Sequence, residues 1–255
     1  MTSQPRASGT RVELLGCPID ALDMDATLDR CRRLIDEGSP AHQISVNAAK
    51  MVALRTDERL RSIVRASPLV NADGQSVVWA SRVLRSPLPG RVAGIDLMER
   101  LLELAEASGY RVFFLGARPE IVAEAVERLR RRHPRLQVAG YRDGYFTDAE
   151  NRAVVEEIRS ARPQILFVAM SSPRKEYWLA DNADELGVPF VMGVGGALDV
   201  VAGVTQRAPL WAQRLGLEWL VRLVQEPRRL FGRYARTNSR FLWLVARELI
   251  RGPGL

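Results

Sequence analysis

One aspartate, one glycine cluster and a set of arginines are the residues of this chain best suited to chemistry. Asp73 stands in Asn71-Ala72-Asp73-Gly74, a carboxylate between a short apolar run and a glycine. Gly193-Val194-Gly195-Gly196 follows another apolar run. Such a turn lets backbone N–H groups approach a phosphate, with the next helix start facing the anion. The same glycines also serve purely steric turns. Neither they nor Leu115-Gly116-Ala117-Arg118 have the GxGxxG spacing, which disfavours a dinucleotide-binding dehydrogenase. Asp23-Met24-Asp25 has the form of a metal-chelating acidic pair. Asp25 precedes Ala26-Thr27-Leu28-Asp29, however, where a helix N-cap accounts for it. His42 and His133 stand apart from any cysteine or carboxylate cluster, so no metal and no cofactor are expected. Cys17 and Cys31 form no CxxC pair and read as reduced structural thiols of a cytoplasmic protein.

The charge is unevenly placed. Between Thr205 and Leu255 ten arginines stand against Glu218, Glu226 and Glu248, an excess of seven that equals the +7 of the whole chain. Residues 1–204 therefore sum to zero, and the tail alone calls for an anionic partner: nucleotide phosphates, lipid head groups or nucleic acid. Trp211, Trp219 and Trp243 lie among those arginines, the composition of a helix resting in the head-group plane. An ordinary amphipathic packing helix is the alternative, most of all for Leu217–Val224. No recognised nucleic-acid motif accompanies the basic residues, so nucleic acid is not the expected partner. No apolar run approaches the about 18 residues that span a bilayer, and the N-terminus is polar without a leader-like core.

These residues need a scaffold, and the hydrophobic periodicity supplies one. The first part, residues 11–108, reads as mixed α/β. Strands are expected at Val12–Leu15, Gln43–Val46 and Leu69–Asn71, and helices at Asp25–Asp36, Ala48–Val64, Gln75–Leu84 and Asp96–Ala107. Residues 109–204 alternate regularly. Strands Arg111–Leu115, Leu136–Gly140, Ile165–Ala169 and Phe190–Gly193 are separated by helices Pro119–Arg132, Asp148–Ser160 and Arg174–Leu186. Pro119 suits a first helical turn, and Thr147-Asp148-Ala149-Glu150 reads as a capping box. The fold class expected is Rossmann-like α/β: a mostly parallel sheet flanked by helices, with ligands at the carboxyl ends of its strands. Residues 1–204 form the expected catalytic body, and 205–255 a helical Arg/Trp-rich appendage.

Taken together, ordered segments along Leu14–Tyr234 resemble the WecG/TagA/CpsF family, glycosyltransferase family 26. They include Ser45-Val46-Asn47, Asn71-Ala72-Asp73-Gly74, Arg91-Val92-Ala93-Gly94-Ile95-Asp96 and Phe114-Leu115-Gly116. Gly140-Tyr141 with Gly144-Tyr145-Phe146, Ser172-Pro173-Arg174-Lys175-Glu176, and Gly193-Val194-Gly195-Gly196-Ala197-Leu198-Asp199 follow. Arg207-Ala208-Pro209, Leu217-Glu218-Trp219-Leu220 and Glu226-Pro227-Arg228-Arg229 complete the series.

The resemblance implies inverting, metal-independent transfer of a ManNAc-, ManNAcA- or GlcA-type sugar from a UDP-sugar to a polyprenyl-diphosphate-linked saccharide. The setting implied is cell-surface polysaccharide synthesis at the inner face of the cell membrane. It implies Asp73 as the base that takes the acceptor proton; an Asx-turn aspartate is the alternative. Without a metal, arginines must stabilise the leaving UDP. Arg91 matches a family active-site arginine, and Arg207, Arg214 and Arg222 lie where the family's appendage covers the nucleotide. Each tail arginine also suits solvent or an anionic membrane surface.

Ser45 and Asn47 match pocket-lining residues, or cap the next helix. Lys175, Glu176, Gly193, Gly195, Gly196 and Asp199 complete the expected substrate site. Lys175 departs from the family, where a neutral glutamine is common, and suggests a donor bearing a carboxylate. A homo-oligomer is compatible with all of this. A different class of function, a non-catalytic nucleotide-binding peripheral membrane module, is the second reading.

Overall fold

The computed structural model describes residues 11–214, 216–225 and 227–251. It opens with a hairpin: β1 (Arg11–Leu14) and β2 (Cys17–Asp20) pair antiparallel, with Leu14 opposite Cys17. Its two-residue turn, Leu15-Gly16, has φ of 52° and 77°, the double left-handed geometry that matches strand twist. The sequence reading had no second strand here, because a leucine in a left-handed turn gives no turn signal.

Helix α1 (Met24–Glu37) is capped by Asp23, whose carboxylate accepts from the Ala26 N–H at 2.8 Å. The cap is thus Asp23 and not Asp25, which pairs with Arg100 at 3.0 Å. Then come β3 (Ala41–Val46), α2 (Ala48–Ala53), α3 (Glu58–Ala66), β4 (Leu69–Ala72), α4 (Gln75–Val83) and α5 (Gly94–Ser108). The single helix expected over Ala48–Val64 is two, because Asp57 accepts from the Leu60 N–H at 2.9 Å and starts a new one.

The regular half follows: β5 (Arg111–Gly116), α6 (Pro119–Arg132), β6 (Gln137–Arg142), α7 (Asn151–Ala161), β7 (Ile165–Ala169), α8 (Arg174–Leu186), β8 (Phe190–Gly193) and α9 (Ala197–Val201). Pro119 occupies the first turn of α6. The Thr147–Glu150 capping box forms and opens a 3-10 turn before α7. The tail is helical: α10 (Leu210–Arg214), α11 (Glu218–Gln225) and α12 (Pro227–Arg251).

Strands β3 to β8 form one sheet in the order β4-β3-β8-β7-β5-β6, every pair parallel. This is the α/β architecture expected. All five residues of β7 and all four of β4 are buried, as a sheet covered on both faces requires. Phe114 and Phe167 stack at 5.4 Å against α5 and α6, while Phe113, Leu166 and Val168 face α7 and α8. Each such side chain, fully buried, contributes about 1.5–3 kcal/mol.

Under β3 and β4 a third cluster gathers residues of the hairpin, α2, α3 and α4. Phe241, Leu244 and Val245 of α12 belong to it. Their i, i+3, i+4 spacing turns one stripe of α12 inward, while Leu242, Trp243, Leu249 and Ile250 stay exposed.

On its other face, β3 and β4 carry polar residues. Ser45 stands opposite Asn71. Gln43 donates to Ser45 Oγ at 3.1 Å and to Asn71 Oδ1 at 3.2 Å, and Asn71 donates to Thr27 at 3.1 Å. A buried polar chain thus runs from α1 to the carboxyl end of β3.

Candidate active site

The carboxyl ends of β3, β4 and β8 lie side by side, and the residues singled out by sequence collect there. Asp73 directly follows β4, with its N–H donating to the Val46 carbonyl at 2.9 Å. The chain then returns, and the Val92 N–H donates to the Ala72 carbonyl at 2.8 Å. That return sets Arg91 and the start of α5 beside Asp73. The Gly94 N–H donates to Asp73 Oδ1 at 3.2 Å. Asp73 Oδ2 and Ser45 Oγ each lie 3.7 Å from where a Cβ on Gly94 would stand, with Met192 at 4.0 Å. A Cβ at position 94 would thus make only ordinary van der Waals contact with the site. Asn47 caps α2, its side chain accepting from the Lys50 N–H at 3.0 Å, and it remains exposed at the strand end.

Lys175 and Glu176 open α8, and both reach under this edge. The Lys175 stem crosses the end of β8 so closely that a Cβ on Gly193 would meet its Cε at 2.7 Å. Glu176 is buried and accepts from Lys50 Nζ at 2.7 Å, with Lys175 Nζ at 3.8 Å. Burial alone would push the Glu176 carboxyl up. The Lys50 and Lys175 charges, with hydrogen bonds from Lys50 and Ser172, outweigh it and hold the group low. Lys175 is lowered from the ordinary lysine range, by burial first and by Lys50 second, against Glu176 and Asp73, which raise it. Ser45, Gln43, Lys175, Glu176 and Gly193 line one small cavity. Gly195 and Gly196 form the turn after β8. The Asp199 backbone carbonyl accepts from Val204 and Thr205 at 2.9 and 3.1 Å, which closes α9.

The arginines meet through a glutamate. Arg91 and Glu218 form a hydrogen-bonded ion pair. Arg207 Nη2 contacts Asp96 Oδ1 at 2.5 Å, and its Nε lies 4.0 Å from Glu218 Oε1. Asp96 sits in the first turn of α5, two residues after the Gly94 that holds Asp73. The tail is thus tied to the body at the base of the site. Gly216 adds a second tie: its φ is +70°, and a Cβ there would meet Gln75 Cγ at 2.3 Å. The side chains of Arg214 and Arg222 lie outside the described residues.

Lys50, Asp96 and the partner role of Glu218 were not anticipated from sequence. Lys50 had a signal, since Lys50 and Lys175 are the only lysines among 37 basic residues and meet at one carboxylate. Among the described residues no group of three or more His, Cys, Asp or Glu is placed to hold a metal. Cys17 and Cys31 are buried free thiols, Cys17 pushed up to about 12 by burial, so neither is poised as a nucleophile.

The profile of the Glycosyl transferase WecG/TagA/CpsF family matches residues 12–254. The chain belongs to this family. It is similar to the N-acetylglucosaminyldiphosphoundecaprenol N-acetyl-beta-D-mannosaminyltransferase of Staphylococcus aureus (strain MW2), 31% identical over 232 residues, or 90% of this chain and 91% of the relative. The protein of the same description from Bacillus spizizenii is 33% identical over 195 residues, 76% of this chain and 75% of the relative. As a member of the WecG/TagA/CpsF family the protein is a glycosyltransferase. The family match spans both the Asp73 edge and the Arg207–Glu218 segment that pairs with Arg91 and Asp96 beside it.

Proposed function

We propose that the protein transfers an N-acetylmannosamine-type sugar from a UDP-sugar to polyprenyl-diphosphate-linked N-acetylglucosamine, with inversion and without a metal, in cell-surface polysaccharide synthesis. The observation that carries the reading is the placement of Asp73. Its carboxylate is fixed by the Gly94 N–H at a sheet's carboxyl edge, beside Ser45, with Arg91 just before Gly94 in the chain and Arg207 bonded to Asp96 just after it. The names of the curated relatives support the acceptor and the sugar.

In the reaction, Asp73 takes the proton of the acceptor hydroxyl while that oxygen attacks the anomeric carbon. The bond to the diphosphate breaks on the opposite face, and the arginines stabilise the charge that develops on the leaving UDP. Asp23 and Asp25, the residues that could suggest a metal-bound diphosphate, are engaged in a helix cap and an ion pair.

A lipid-linked acceptor fits the exposed apolar side chains of the tail. Trp211, Leu242, Trp243 and Ile250 are exposed, and Trp79 and Val83 of α4 add to them. Arg247 lies over the Trp243 ring at 5.1 Å. This composition suits a surface resting on an anionic leaflet at the inner face of the membrane. No helix among the described residues is long and apolar enough to cross a bilayer.

The test is a panel of UDP-sugars assayed with a lipid-diphosphate N-acetylglucosamine analogue, with and without EDTA. Turnover of a UDP-mannosamine derivative that survives EDTA is expected. No turnover with any UDP-sugar sinks the proposal, and loss of activity in EDTA sinks its metal-free part.

A further inference from the structure

Arg91 and Arg207 are the arginines placed to hold the donor diphosphate, yet both face carboxylates of the protein itself. Arg91 pairs with Glu218, and Arg207 contacts Asp96 at 2.5 Å with Glu218 at 4.0 Å. Among the described residues these two cations and two carboxylates balance, so neither arginine is free of a protein carboxylate to meet a diphosphate. An anion held by these same two arginines competes with those carboxylates, since like charges in a partly buried cluster repel strongly.

The two carboxylates are not equivalent. Asp96 is short and fixed in the first turn of α5, within the body. Glu218 is longer and opens α11, in the tail. A change of rotamer is enough to withdraw it. Arg207 supplies a second, independent observation: its Nε is buried and has no hydrogen-bond partner among the described residues. A buried guanidinium N–H without an acceptor is costly, and the Glu218 carboxylate at 4.0 Å is too far to satisfy it.

We infer that Glu218 is an internal stand-in for the donor diphosphate: it neutralises Arg91 in the ligand-free enzyme and is displaced when the diphosphate binds. The inference rests on the reading of Arg91 and Arg207 as diphosphate ligands. Glu218 then acts as a positioning residue that competes with the donor. It keeps the arginines ordered between turnovers, and returning to Arg91 it helps expel the UDP product. Ligand and carboxylate share the same cations, so each lowers the other's occupancy.

UDP binding to the full chain, measured by titration calorimetry, tests the exchange. Glu218→Gln removes the competing charge and keeps the shape, and should tighten UDP by about fivefold or more. Arg91→Ala should weaken it. Glu218→Asp, which draws the carboxylate back from Arg91, should also tighten UDP and serves if the glutamine variant does not fold. Weaker or unchanged UDP binding in the folded Glu218 variants, with Arg91→Ala impaired, overturns the exchange while leaving the diphosphate reading intact. Arg91→Ala and Arg207→Ala variants that bind UDP like the wild type remove the diphosphate reading, and the exchange with it.

Discussion

Lys50 and Glu176 stand 126 residues apart in the chain, yet their charged ends meet at 2.7 Å with both side chains almost fully buried. The pair ties the helix after β3 to the helix after β7, beneath the candidate site. Removing Lys50 leaves the buried Glu176 carboxylate with only the more distant Lys175 ammonium at 3.8 Å, a loss that costs up to about 3–5 kcal/mol. Lys50→Met should therefore lower the urea midpoint steeply, while Lys50→Met with Glu176→Leu recovers much of it. A double variant no more stable than the single one would show that the pair is not the unit of stability.

Lys175 gives a pH signature. Its ammonium is held below the ordinary 10.5, by burial and by Lys50, against Glu176 and Asp73. The folded protein thus releases this proton at lower pH than the unfolded chain. Charge on Lys175 costs stability below the folded value, and that cost is relieved as pH rises toward 10.5. The difference in unfolding free energy between wild type and Lys175→Gln should rise through this alkaline window. Glu176 acts at the other end: its lowered carboxyl contributes stability present above the ordinary 4.5 and lost as pH falls through its folded value. A flat alkaline difference plot would remove the claim for Lys175.

Asp73→Asn keeps the shape of the side chain and its acceptor oxygen for Gly94 while deleting the base. Transfer should slow by about 100-fold or more, the usual contribution of a positioned base. UDP affinity, read by calorimetry, should hardly move. Unchanged turnover would assign proton removal to another group.

The Lys175 cation beside Asp73 also bears on the donor. A carboxylate on the donor sugar would give this ammonium an anionic partner beyond Glu176 at 3.8 Å. Lys175→Gln should then cut kcat/KM for a uronate donor by at least about tenfold, the scale of a charge-assisted hydrogen bond, and leave a neutral donor nearly as before. Equal losses on both donors would place Lys175 at the diphosphate instead.

The exposed apolar face of the tail predicts lipid binding that single charges weaken. Trp243→Glu and Ile250→Glu lie on the outward stripe of α12 and leave Phe241, Leu244 and Val245 in the core. Both should reduce sedimentation with anionic vesicles without lowering the melting temperature. Undiminished sedimentation would exclude this face as the docking surface, and a shift in mass on sizing would mark it as a contact between copies.

Much of this was legible in the sequence because local signals agreed. The bounds of α6, β7, α8 and β8 match the reading, each being an apolar strand run or an amphipathic helix with marked ends. The hairpin's second strand was hidden by Leu15, which no turn rule selects. Asp57 was hidden inside a continuous apolar period that disguised a cap. In the site, Asp73 and Gly193 were visible as strand ends beside glycine. The partners of Lys50 and Arg91 were not, because an ion pair between residues more than a hundred positions apart leaves no local trace.

The place of Phe241, Leu244 and Val245 in the cluster under β3 and β4 has a consequence for synthesis. Met51, Val77 and Val78 are made long before the side chains of α12 that complete their cover. Until residue 245 emerges, an apolar groove lies open on the growing chain, and its closure needs a contact spanning nearly two hundred residues. Nascent protein should therefore remain chaperone-bound until residue 245 has emerged, and a ribosome stalled before residue 241 should hold a chain without its transferase site in working order.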